Sequence, residues 1–167
     1  MADLASALSG YVDVNVVAPG RSNGTEVLSS TLTVHRFSVP FLPLSLLRPY
    51  DPCHWSPIVR TIHLGLKALE NLCRRNDVDH VLALWVRPSG WWAREMRKRF
   101  DVPYSVWALG SDIWVLSRLP LVRHILTRTI RDSRHCFADG LLLKDDVVRI
   151  SGCSCEFLAS VRELPVS

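Results

Sequence analysis

The sequence predicts an α/β protein built on a parallel sheet with helices on both of its faces, a doubly wound arrangement. Three observations predict it. Short runs rich in β-branched residues alternate along the chain with longer stretches whose apolar residues recur at helical spacing. The run His80 to Val86 is apolar almost throughout, as a strand covered by helices on both sides has to be. The 167 residues are 48% apolar and 22% charged, enough for one domain with a substantial core and too apolar for disorder.

The first element reads as a helix, Ala2 to Leu8, stopped by Gly10. A strand follows at Val12 to Ala18 and ends at Pro19-Gly20. Asn23-Gly24-Thr25 has the form of a glycosylation sequon but reads more simply as a turn. Thr31 to Val39 is the next strand, with Leu32, Val34, Arg36 and Ser38 on one face and Thr33, His35, Phe37 and Val39 on the other. Residues 40–57 hold five prolines and form a loop rich in apolar side chains, either a lid or a loop folded back on the core. Ser56 and Pro57 suit the cap and first position of a long helix. Its stripe is Val59, Ile62, Leu66, Leu69 and Cys73.

After the strand His80 to Val86, Ser89-Gly90 opens a helix that turns Trp92, Met96 and Phe100 inward and Arg94, Arg97 and Lys98 outward. The strand Tyr104 to Leu109 runs into Gly110-Ser111-Asp112. A helix from about Pro120 buries Val122, Ile125, Leu126 and Thr129, with Arg123, Arg131 and Arg134 on its wet side. His135 to Ala138 is a short strand. A helix from Leu142 to Ser151 begins with Asp145 and Asp146 in its first turn and stops at Gly152. Glu156 to Ala159 is the last strand.

Composition excludes several function classes. No apolar run reaches the roughly 18–20 residues that span a bilayer, and the N-terminus lacks the basic region of a secretory signal. The expected location is cytoplasmic, peripheral to a membrane at most. The five cysteines, Cys53, Cys73, Cys136, Cys153 and Cys155, show no zinc-site spacing, so reduced thiols are expected and no metal. Residues 59–135 carry 14 basic and 7 acidic side chains within a net charge of +4. That bias suits an anionic partner such as phosphate, a nucleotide or a membrane surface. No recognition helix, zinc finger or aromatic RNA-binding pattern accompanies it, which speaks against nucleic acid. No glycine-rich phosphate loop occurs, so no cofactor is expected on this chain.

Ligands of open parallel sheets sit beyond the carboxyl ends of the strands. Two segments lie there: Trp85-Val86-Arg87-Pro88-Ser89-Gly90 and Leu109-Gly110-Ser111-Asp112. Gly90 and Gly110 permit close backbone approach. Ser89 and Ser111 offer hydroxyls, and the amides opening the helix after Ser89 suit an anion. Asp112 has two readings, a base toward a hydroxyl or a cap on the following segment. Trp92 is expected in the core, and Trp91 and Trp114 at the surface, where a sugar could stack.

On these residues the chain resembles the acceptor-side, N-terminal domain of retaining glycosyltransferases of the GT-B fold, family-four type. The matching stretches are ADLASALSGYVDVNVVAPG, DHVLALWVRPSGWWAREMRKRFDVPYSVWALGSDIW and ADGLLLKDDVVRISGCSCEFLASVRELP. The most specific element is a strand delivering a Gly-Ser-Asp turn, one βα unit after a strand that ends in Trp-x-x-Pro-x-Gly. The resemblance implies a Rossmann-like domain facing a second domain that binds the nucleotide-sugar. It implies a saccharide or lipid-linked acceptor, a catalytic role for Asp112, and acceptor contacts from Trp85, Arg87, Ser89, Gly90, Gly110 and Ser111. Many members carry a histidine where this chain has Leu109, so no histidine assists at the turn.

The family topology also implies a first strand before Ala2 and a donor domain after Ser167. A chain without them is expected not to transfer sugar alone. The inner edges of the strands at Val12–Ala18 and His80–Val86 would then pair with each other or stay open, which favours dimerisation. The reading from another class is a non-enzymatic Rossmann-like module that assembles with a partner.

Overall fold

The computed structural model describes residues 2–40, 51–75, 77–114 and 120–159. The chain is α/β and divides into two compact units, Met1–Arg75 and Asn76–Ser167. Each has its own sheet.

In the first unit, α1 (Ala2–Leu8) leads into β1 (Val14–Gly20), followed by β2 (Gly24–Ser29), β3 (Leu32–Ser38) and α2 (Trp55–Arg75). The strand order is β1-β3-β2. β3 runs parallel to β1, with Val14 beside Leu32, and antiparallel to β2. As the central strand it buries both faces: Leu32 and Val34 on one, Phe37 and Val39 on the other.

Strand β2 falls where the sequence reads as a turn. All six of its residues are exposed, so it carries no alternation to betray it. Pairing with β3 holds it, helped by the Glu26–Arg36 ion pair at 3.8 Å and a 3.3 Å contact between Thr25 and His35. The sequon's Asn23 accepts the Ser38 N–H at 2.7 Å, as a turn residue would.

The long helix begins one residue before its expected cap. Asp51 accepts the Cys53 N–H and caps a short 3-10 turn, Pro52–His54, that runs into α2. Its buried face is Thr61, Gly65, Leu69 and Leu72, and Val59 is 64% exposed. The stripe is therefore rotated by about one residue from the apolar pattern. Small Thr61 and Gly65 let the helix approach its sheet more closely than Ile62 and Leu66 would. The lid expected at 40–57 falls mainly on residues 41–50, outside the described residues.

The second unit contains β4 (Val81–Leu84), α3 (Trp91–Phe100), β5 (Tyr104–Ala108), α4 (Ser111–Trp114), α5 (Pro120–Arg131), β6 (Cys136–Ala138), α6 (Leu141–Ser151) and β7 (Glu156–Phe157). The sheet order is β4-β5-β6-β7 and every pair is parallel. Because strand order follows chain order, each crossover advances the same way. Right-handed crossovers then place α3, α5 and α6 along one face. The reversal that makes a sheet doubly wound does not occur among these four strands. β1 and β4 do not pair with each other; each is an outer strand of its own sheet, which is the unpaired one of the two expected alternatives.

β5 is the strand buried along its whole length, whereas Leu82 in outer strand β4 is 37% exposed. In one core with β5 pack Ala93 of α3, Leu126 and Ile130 of α5, and Val147 of α6, each with at most 2% of its surface exposed. Arg94 is drawn into a 2.5 Å pair with Asp132 rather than standing in water. Asp145 and Asp146 miss the first turn of α6, because that helix starts at Leu141. Gly152 does end it, at φ 70°, with its N–H on the Val148 carbonyl at 2.8 Å.

Tyr104 is fully buried and donates its hydroxyl to the Thr129 carbonyl at 2.7 Å, tying β5 to α5. Tyr104→Phe is expected to lower the unfolding free energy by about 1 kcal/mol, the net worth of one such bond. A shift in urea midpoint at constant slope is the measurement.

Candidate functional site

Strands β4 and β5 end side by side, and the chain turns sharply after each. Beyond β4, Trp85 continues the ladder through its N–H to the Trp107 carbonyl at 2.8 Å. It then takes φ 73° and ψ 136°, a region that a bulky L-residue rarely occupies. Its carbonyl is gripped by the Gly90 N–H at 3.1 Å and the Ser89 hydroxyl at 3.1 Å. Ser89 also meets the Leu84 carbonyl. These contacts hold the strained residue in place and leave its indole 41% exposed.

Ser89 donates to backbone carbonyls at the end of β4. The Gly90 and Trp91 N–H groups donate to the Trp85 and Pro88 carbonyls and hold the turn closed. Gly90 is buried, and a Cβ there would lie 3.1 Å from both Thr129 and Val106, so its small size serves packing. The Arg87–Pro88 peptide is cis, and Arg87 is half-buried, which pushes its guanidinium below its ordinary value.

Beyond β5, Gly110 adopts φ 115° and starts α4. Asp112 points inward with 3% of its surface exposed. One carboxylate oxygen accepts the Val86 N–H at 2.6 Å and the other accepts the Gly110 N–H at 3.1 Å. Burial pushes its carboxyl above the usual range, against the pull of these backbone N–H groups. Asp112 is a positioning residue that fastens the turn after β4 to the turn after β5.

The structure therefore brings all seven expected residues to the carboxyl ends of two adjacent strands, but divides their roles. Asp112, Ser89, Gly90 and Gly110 shape the backbone. Trp85 and Ser111 are exposed and Arg87 is half-buried. Trp92 is core, Trp91 half-buried, and Trp114 51% exposed with its indole N–H on Asp146 at 2.7 Å.

A groove of about 540 Å³ continues from this rim across the ends of β6 and β7, lined mainly by Leu109, Trp114, Leu141, Leu142 and Phe157. Leu141 and Leu142 are 62% and 79% exposed. The Leu141-Leu142-Leu143 run held the signal for it. Three successive residues of a helix point about 100° apart, so they cannot all face one core. Only Leu143 does. Among the described residues no group of three or more metal-ligating side chains is brought together, and no helix is long and apolar enough to cross a membrane.

The chain matches no protein-family model, and no curated protein matches it.

Proposed function

We propose that the chain is the acceptor-side domain of a GT-B-type glycosyltransferase, holding a saccharide or lipid-linked acceptor for a sugar delivered from a nucleotide-sugar on a separate donor-binding domain. The observation that carries this reading is Trp85, held at a costly backbone angle with much of its surface exposed, at the same strand ends as Arg87 and Ser111. Strain of about 1–3 kcal/mol at one residue is retained where the exposed side chain has work to do. An indole face suits the apolar side of a sugar ring, and Arg87 suits a phosphate linking sugar to lipid. The groove beside Trp114 and Leu142 would take the first part of the hydrocarbon. The work of this chain is then positioning, with Asp112 holding the two turns in register.

Trp85→Gly tests it. Glycine adopts φ 73° without strain, so the variant is expected to fold at least as stably as the parent. Affinity for a polyprenyl-phosphate-linked saccharide in detergent is expected to fall about tenfold, the worth of one aromatic contact. Unchanged affinity, or no binding by the parent chain, would sink the reading.

The non-enzymatic assembly module has one observation in its favour, the exposed apolar face of Leu141, Leu142 and Phe157, of a kind that monomeric proteins usually cover. Loss of a partner through Leu142→Asp, with saccharide affinity absent throughout, would establish it.

A further inference from the structure

At the opposite edge of the same sheet, Cys136 is the first residue of β6 and Cys155 immediately precedes β7. These strands run parallel with Phe137 beside Glu156 and Ala138 beside Phe157. One step back along both sets Cys136 beside Cys155, with side chains on one face. Adjacent strands lie about 4.8 Å apart, within the roughly 4.4–6.8 Å between Cα atoms that a disulfide bridges. Both residues are buried in one core cluster, at 5% and 6% exposure, and Cys153 packs against it.

The neighbouring Cys136 and the Lys144 ammonium draw the Cys155 thiol below its ordinary value. The neighbouring Cys155 and burial push the Cys136 thiol above its own. Cys136, though not Cys155, lines a pocket of about 320 Å³ with Cys153, Arg131, Arg134 and His135, so a small oxidant reaches the pair from the Cys136 side.

We propose that Cys136 and Cys155 form a dithiol redox site, converted by a small peroxide into an intramolecular disulfide that staples β7 to β6. One of the paired sulfurs, as thiolate, attacks one peroxide oxygen. The O–O bond breaks, that cysteine becomes a sulfenic acid, and the departing hydroxide takes up the proton its thiol released, giving water. The second sulfur then attacks the first. The S–O bond breaks, and the departing hydroxide carries off the second thiol's proton as a second water. Two electrons pass from the sulfurs to the peroxide. The bridge encloses all of α6, including Leu141 and Leu142, so oxidation fixes one wall of the groove. The proposal is independent of what that groove binds.

The test is reduced wild-type protein treated with hydrogen peroxide, followed by intact-mass measurement and mapping of non-reduced peptides. The expected product is lighter by two hydrogen atoms, links Cys136 to Cys155, and melts about 5 °C or more above the reduced form. Cys136→Ser and Cys155→Ser should each abolish the link, and Cys53→Ser, Cys73→Ser and Cys153→Ser should keep it. The wild-type map decides by itself if a core serine variant fails to fold. A link through Cys153, oxygen addition without a bridge, or two persistent free thiols would each overturn the proposal.

Discussion

Asp112→Ala is expected to lower the unfolding free energy by about 2–4 kcal/mol. The Val86 and Gly110 N–H groups would both lose their acceptor, and each buried donor left unmade costs about 1–3 kcal/mol. Removing a carboxylate from a dry site returns part of that. Urea unfolding at constant slope is the measurement, and a loss below about 0.5 kcal/mol, the level of an ordinary surface substitution, would show that other acceptors replace it.

The protonation of Asp112 adds a second reading of the same side chain. Burial raises its carboxyl above the unfolded value, more than the backbone N–H groups lower it. Its protonated form therefore favours folding. That contribution is complete below the unfolded value, about 3.9, and is lost as pH rises through the folded value. Wild-type stability measured against Asp112→Asn should fall with rising pH across that window and level off above it. A rise with pH would mean that the two hydrogen bonds outweigh burial.

What was legible in the sequence is what neighbours along the chain decide. The boundaries of α1, α3, α5 and α6 and the stop at Gly152 follow from periodicity and one glycine. β3 and β5 follow from runs of β-branched and aromatic residues. What was not legible depends on partners far away in the chain. β2 has no pattern of its own and exists because β3 lies beside it. Nothing local says that β1 and β4 belong to different sheets. Nothing near Asp112 in the chain shows that Val86, 26 positions away, supplies one of its partners. Trp85 carries no sign of its positive φ, which residues 89, 90 and 107 impose through hydrogen bonds. The candidate site was found as a set of residues, and its division into scaffold and surface was not.

Gly110→Ala is expected to cost about 2–3 kcal/mol, from two separable sources. The backbone angle of φ 115° is one that alanine rarely adopts, worth about 1–3 kcal/mol of strain. An added Cβ would also stand 2.9 Å from Trp114 Cζ3 and 3.3 Å from its Cε3. That ring is not idle, because its N–H is anchored on Asp146 at 2.7 Å. Either the indole swings away and loses Asp146, or the turn shifts and disturbs the Gly110 N–H bond to Asp112. The double variant Gly110→Ala/Trp114→Ala distinguishes the two sources. It removes the clash and leaves the backbone strain, so recovering about half of the loss relative to Trp114→Ala alone would assign the two sources equal weight. Full recovery would mean that Gly110 is required only to make room for the ring. No recovery would mean that φ alone demands glycine, and that Trp114 is free to move when the groove it lines is occupied.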